Sequence, residues 1–242
     1  PYAASAGLFA VSLAGLFAIG PVDRAEIGRG PNPWAQMIEG LKYVRENRLV
    51  LGAISLDLFA VLLGGATAML PVFARDVLHA GPEGLGHLRA APAVGATLTA
   101  AFFSIQPLKH NVGLKMMAAV GVFGLATIIF GISRSMPLSL ACLALLGAAD
   151  MFSVYVRQSL IQLYTPDQMR GRVGAVSSLF ISASNELGEA ESGFLGAVIG
   201  PIPAVIAGGI GAIAVVILWS WWFPELRLAK SFDQPDLPSA PS

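Results

Sequence analysis

The sequence predicts an all-α membrane protein, a polytopic bundle of about seven transmembrane helices, and three observations carry that reading. The 242 residues are 55% hydrophobic and only 12% charged, with mean hydropathy +0.69, whereas soluble domains carry about 25% charged residues. Seven apolar segments, roughly 2–20, 49–73, 85–106, 112–132, 136–163, 173–199 and 204–223, reach or approach the about 20 residues a helix needs to cross a hydrocarbon core of about 30 Å. The alternating pattern of a membrane barrel is missing from the sequence. Helices, which satisfy each backbone group within their own segment, are therefore the expected spans.

Taken in order, residues 1–20 read as one transmembrane helix and 21–48 as a polar linker. Pro31, Asn32 and Pro33 break the linker. Trp34, Met37, Ile38, Leu41 and Val44 then recur at helical spacing as an amphipathic stripe, expected on the inner membrane face or against the bundle. Residues 49–223 supply six further spans. The first is interrupted by Asp57, about 12 Å from its inner end, and by Gly64-Gly65. In the next, Ala93, Thr97 and Ala101 form a small-residue edge suited to close helix packing, and Ala204, Gly208 and Ala212 repeat that edge in the last span. Residues 165–191 open as a basic turn, Pro166 to Arg172, and continue into small and apolar residues that enclose Asn185, Glu186 and Glu189. Residues 224–242, rich in Pro and Ser from Asp233 onward, are expected to form a disordered cytoplasmic tail.

Orientation follows from the basic residues. With 21–48 placed inside, twelve of the 15 Lys and Arg fall on the inner side, leaving Arg75, Arg89 and Arg134 outside. The positive-inside rule then starts the chain outside and ends it inside. Trp219, Trp221 and Trp222 fall at the inner boundary as an aromatic belt.

Composition also excludes. Basic and acidic residues balance at 15 each, so no nucleic acid is an expected partner. The single cysteine, Cys142, lies in an apolar run and rules out an internal disulfide framework. His79, His87 and His110 have no metal-ligand spacing, and no H-E-x-x-H, G-x-S-x-G or Walker pattern occurs. Neither a cofactor, nor ATP drive on this chain, nor an enzyme is expected. The first residue is Pro, not Met, and no signal peptide pattern opens the chain, as in a fragment that begins inside a larger protein.

The candidate site residues are the ionisable groups within the spans, where each costs roughly 2.5–3.5 kcal/mol on insertion scales and is read as functional by default. Glu186 and Glu189 are one turn apart and share a helix face, with Glu186 about 20 Å from the inner end of its span. Carboxylates at that depth can bind and release protons, as a proton-coupled carrier requires. The competing reading is a hydrogen bond between helices. Glu191 points away from Glu189 and reads as a solvated rim residue. Asp57 and Asp150 are the other midspan acids, each able to bind a proton or to pair with Arg89. Arg157 follows Asp150 by seven residues on the same face and reads as snorkelling to the inner interface. Arg89, near an outer end, either snorkels or holds a carboxylate at an outer gate.

Three stretches carry a resemblance: LDLFAVLLGGATAMLPVFARDVL (56–78), GLGHLRAAPAVGA (84–96) and TPDQMRGRVGAVSSLFISASNELGEAESG (165–193). Together they resemble the second half of a major facilitator superfamily transporter of the enterobactin-exporter-like bacterial efflux branch. The resemblance implies a twelve-helix carrier of which this chain is the C-terminal half. It implies a missing N-terminal half of the same transporter, a multi-pass location in the bacterial inner membrane, a small siderophore-like or drug-like substrate, and protons as the coupling ion. Asp57, Asp150, Asn185, Glu186 and Glu189 are then the substrate or coupling candidates, and Arg89, Arg170 and Arg172 the gating candidates. The loop Gln106 to Gly113 keeps Lys109 and Gly113 of the superfamily's loop signature but lacks its acidic residue, which moves the expected inner gate to the Arg170-Gly171-Arg172 turn. Two alternatives stay open: a membrane-embedded enzyme using Asp57, Asp150 and Glu186, and a non-transporting half that acts as an interaction module.

Overall fold

The computed structural model describes residues 2–18, 32–106, 108, 110–229 and 232. Among them every regular element is helical. The chain divides into two compact units, Pro1–Gln36 and Met37–Ser242. The first holds α1, Tyr2–Ala18, whose apolar side chains Phe9, Leu13 and Phe17 are exposed. The second holds α2 (Pro33–Glu46) from Met37 onward and the bundle: α3 (Arg48–Leu63), the short turn α4 (Leu70–Val72), α5 (Gly81–Ile105), α6 (Val112–Ile132), α7 (Met136–Tyr164), α8 (Asp167–Ile199), α9 (Pro201–Trp222) and the turn α10 (Pro224–Arg227). Linker residues 21–31 and tail residues 233–242 lie outside the described residues.

Among the described residues five stretches are long and apolar enough to cross a membrane: Arg48–Val77, Gly81–Ile105, Val112–Ile132, Met136–Tyr164 and Pro201–Trp222. They match five of the seven segments read from the sequence. α8 has ample length, 33 residues, but its Ser, Asn and Glu content keeps it out of that set.

The bundle is built by pairing α5 with α7, α6 with α7 and α9, and α3 with α8 and α9. One layer of the core gathers Phe73, Phe130, Leu88 and Leu143, and a second gathers Leu56, Met116, Leu160 and Trp219. α3 starts where the Asn47 side chain accepts from the Val50 N–H at 3.2 Å, a helix N-cap. It stops at Gly64, whose N–H bonds to the Ala60 carbonyl at 2.9 Å. The span then continues as a 3₁₀ turn, Ala66–Met69, through α4, into a π turn, Phe73–Val77.

The break at Gly64-Gly65 is held tightly. A Cβ on Gly188 of α8 would sit 3.0 Å from the Val61 and Leu62 carbonyl oxygens, and one on Gly208 of α9 would overlap the Leu63 carbonyl oxygen. The expected small-residue edge of α9 is therefore real, with Ala204 and Ala212 buried. That of α5 is not: Ala93, Thr97 and Ala101 are exposed. α5 meets α7 one face over, at Gly95 and Gly147, where an added Cβ would overlap the carbonyl oxygens of Ala144 and Pro92. Thr97 is drawn instead to its own helix, donating to the Ala93 carbonyl at 2.8 Å.

α2 packs against the bundle over its second half. Val44 joins Val50, Ile54, Ile161, Val173 and Val176, with Met37 and Tyr43 at the edge, and the Tyr43 hydroxyl donates to the Tyr164 carbonyl at 2.5 Å. Ile38 and Leu41 remain exposed, so only part of the amphipathic stripe faces the bundle. The tail reading needs correction at its start. Pro224–Arg227 is a turn with Leu226 fully buried, and the Gly113 N–H donates to the Ala229 carbonyl at 3.2 Å. Arg48 fastens the turn through Glu225 and the Trp222 carbonyl, both at 2.7 Å. Trp219 likewise leaves the expected aromatic belt. Its indole donates to Ser55 Oγ at 2.9 Å and is buried, while Trp221 and Trp222 are exposed.

Candidate functional site

α3 and α7 bring the site together. On α7, Leu146, Ala149, Ser153, Val156, Arg157 and Leu160 form one inward stripe at helical spacing, with Asp150 beside it, half-buried. On α3, Ala53, Leu56, Asp57 and Ala60 form the facing stripe. Asp57 lies about 14 Å along α3 from Arg48, and Arg157 about 10 Å from the matching end of α7 at Tyr164, so the two charges meet at one level. They form an ion pair, Arg157 Nη1 to Asp57 Oδ2, with residue exposures of 2% and 4%. The Ser153 hydroxyl stands 3.5 Å from Asp57 Oδ1. Arg157 Nε is buried and has no hydrogen-bond partner among the described residues. In so dry a place an opposite charge is what makes either ion tolerable, and loss of one partner strands the other.

Two readings from the sequence are overturned here. Arg157 does not snorkel, because a carboxylate one helix away at its own depth offers its charge a partner inside the bundle. Asp57 pairs with Arg157 and not with Arg89, which is exposed on α5. Ser153 was overlooked altogether. The signal for both was present, since Asp150, Ser153 and Arg157 are spaced i, i+3, i+7 on one helix face.

Next to the pair, Asp57, Ser153, Asp150, Val61 and Phe123 line a cavity of about 10 Å³, near the smallest size that holds one water. Asp150, Val61 and Phe123 also line a larger cavity of about 290 Å³, which reaches the Gly64-Gly65 break, Thr67, Pro92 and Asn185. Asp150 thus stands between the ion pair and an opening at the broken helix, and no cation pairs with it among the described residues.

Of the remaining candidates, Asn185 reaches the larger cavity, while Glu186 and Glu189 are exposed on α8, away from the Gly188 face that meets α3. Glu191 is less solvated than its rim reading implied. It is only partly exposed, and its Oε2 is buried without a hydrogen-bond partner. Arg170 and Arg172 flank the α7–α8 junction. Arg170 Nε donates to the Gln162 and Thr165 carbonyls at 2.8 and 3.2 Å, satisfying the end of α7, and Arg170 pairs with Asp167 at 2.7 Å. Arg172 pairs with Glu39 of α2 at 2.7 Å, beside Gly40, whose added Cβ would lie 2.9 Å from the Arg172 carbonyl oxygen. Lys109 lies outside the described residues. No group of His, Cys, Asp and Glu suited to a metal occurs among the described residues.

Fold and site together define a polytopic helical membrane protein with a charged pair and a lined cavity inside its bundle. A family model described as transmembrane secretion effector, within the major facilitator superfamily, matches residues 33–238, and the chain belongs to that family. It is similar to the enterobactin exporter EntS of Escherichia coli O1:K1, 27% identical over 199 residues that cover 81% of this chain and 47% of that protein. The Citrobacter koseri exporter of the same name is 28% identical over 207 residues, covering 84% of this chain and 48% of its own length. The Shigella boydii exporter is 26% identical over 199 residues, with 81% and 47% covered. The chain spans about half the length of the curated relatives it matches. No solved structure matches with significance.

Proposed function

We propose that this chain is the C-terminal half of a proton-coupled secondary exporter that moves a small siderophore-like or drug-like molecule across the bacterial inner membrane by alternating access. The observation that carries the reading is Asp150, an acid with no ion-pair partner among the described residues, set between a buried ion pair and a cavity at a broken helix. Secondary transporters place substrate and coupling-ion sites near the midplane at such breaks, where unwound backbone leaves carbonyls free. In this reading Asp150 takes the coupling proton, and the Asp57–Arg157 pair fixes α3 against α7 beside it. Asn185 meets substrate at the cavity. Glu186 and Glu189 lie on the α8 face that the N-terminal half would complete.

The Arg172–Glu39 contact joins α2 to the α7–α8 junction and suits an inner gate, while Arg89 suits an outer one. The relatives' name, enterobactin exporter, favours an efflux direction and a siderophore-like cargo. The C-terminus is cytoplasmic in this arrangement, following the basic-residue asymmetry. The enzyme alternative required Asp57, Asp150 and Glu186 to act together. It loses support from the neutralisation of Asp57 by Arg157 and from the position of Glu186 on an exposed face.

The test uses the full-length chain in proteoliposomes with an imposed proton gradient and enterobactin as cargo. Efflux that rises with the gradient and collapses on addition of a protonophore supports the reading. Gradient-insensitive flux removes proton coupling, and absence of flux across a panel of siderophores and cationic drugs removes the exporter reading.

A further inference from the structure

A further cavity, of about 640 Å³, lies between α5, α6 and α7 near the end where α5 stops and α6 begins. It shares only Ala149 with the cavities beside Asp57 and Asp150. Its chemistry is graded. At the mouth stand Gln106, His110 and Lys115, none of whose side chains has an ion pair or hydrogen bond among the described residues. Deeper, the walls are apolar, with Phe102, Val122 and Leu145 each partly open to the outside at 54%, 38% and 49% exposure. The floor is aromatic: Phe103 stacks on Tyr155 at 4.3 Å and meets Phe152 edge-on at 5.0 Å.

Depth makes the grading informative. Lys115 lies about 5 Å along α6 from its start and Val122 about 15 Å. Half of a hydrocarbon core of about 30 Å is about 15 Å. Measured along α6, the slot therefore covers about half the thickness of a hydrocarbon core, with Lys115 at the end nearer the start of the helix. Among the described residues no carboxylate lines it, and Lys115 is the cation that does, so an anion at the mouth meets attraction.

We propose that this slot is a binding site for an anionic phospholipid, its phosphate at Lys115, His110 and Gln106 and an acyl chain along Phe102, Val122 and Leu145. Basic pockets between transmembrane helices recognise lipid headgroups by this combination of charge and apolar wall. The site does not depend on the transport reading, because a lipid can fill it in either orientation of the chain.

The test is native mass spectrometry of the full-length chain in detergent, with phosphatidylglycerol or phosphatidylcholine of identical acyl chains added at equal concentration. The wild-type chain is expected to retain phosphatidylglycerol about fivefold more strongly than phosphatidylcholine, and Lys115→Gln to lose about that preference. Lys115→Arg is expected to keep it. Val122→Trp, which fills the slot without touching the charge, is expected to lose retention of both lipids. Equal retention of the two lipids by the wild type, an unchanged preference in Lys115→Gln, or full retention in Val122→Trp would overturn the proposal. So would crosslinking of a Val122→Cys thiol to another protein segment, which would show that protein and not lipid covers the slot.

Discussion

Asp57 and Arg157 are each other's counter-charge in a place neither can leave, and this makes their energetics asymmetric. Asp57→Ala leaves a guanidinium buried and unpaired, so the full-length chain should lose about 3–5 kcal/mol of stability. Replacing both, Asp57→Ala with Arg157→Met, removes the stranded charge and should recover most of that loss. Thermal unfolding in detergent distinguishes the cases: a double variant no more stable than the single one would mean the pair is not the source of the effect. The sequence alone exposed Asp57 and Asp150 as midspan acids, because a carboxylate in an apolar run is conspicuous. It did not expose the partner, because distance from a helix end makes an arginine look able to reach water. What decides is whether a neighbouring helix offers an acid at the same level, and that depends on which helices pack together. Glu186 and Glu189 were equally conspicuous by the same rule, yet they sit on an uncovered face. Depth along a helix was legible at the residue scale, and direction around it was not.

The helices themselves were the most legible feature, since long apolar runs bounded by Pro, Gly and Asn leave little choice of element. Their contact faces were half legible. Small residues recur on more than one face of α5, and only the meeting of Gly95 and Gly147 with the opposite backbone picks the face that packs. Two glycines on neighbouring helices turn this into opposite predictions. Gly147→Ala forces α7 away from the Pro92 carbonyl and should destabilise by about 1–3 kcal/mol, as overpacking does. Gly121→Ala on α6 meets nothing within 4 Å and should be neutral or stabilise by up to about 1 kcal/mol, because alanine is the better helix former. Melting temperatures of the two variants should move in opposite directions or differ clearly. A Gly147→Ala chain as stable as Gly121→Ala would put the α5–α7 contact elsewhere. The start of the tail was illegible for a related reason. Leu226 sits among charged and apolar neighbours, Glu225, Arg227 and Leu228, and nothing local reveals that Gly113 leaves room for the carbonyl it carries.

For the whole molecule, the asymmetry of basic residues makes a sidedness prediction. Cysteines introduced at Ala80 and Ser135 should react with an impermeant maleimide from outside intact cells, and those at His110 and Gln168 only after the inner face is opened. Native Cys142 is buried and should stay silent. Labelling of all four from one side would remove the proposed arrangement of spans. The transport cycle makes a stronger demand, because coupling must reside in a group that exchanges a proton as the bundles rock. The most direct measurement of that is proton-driven efflux by the full-length Asp150→Asn variant in proteoliposomes, run beside substrate exchange with no gradient. Asparagine keeps the size and much of the hydrogen bonding of the protonated acid while removing its titration. The expected result is loss of gradient-driven efflux with exchange and substrate binding preserved. Efflux at the wild-type rate, with the wild-type response to the gradient, would contradict the coupling role of Asp150.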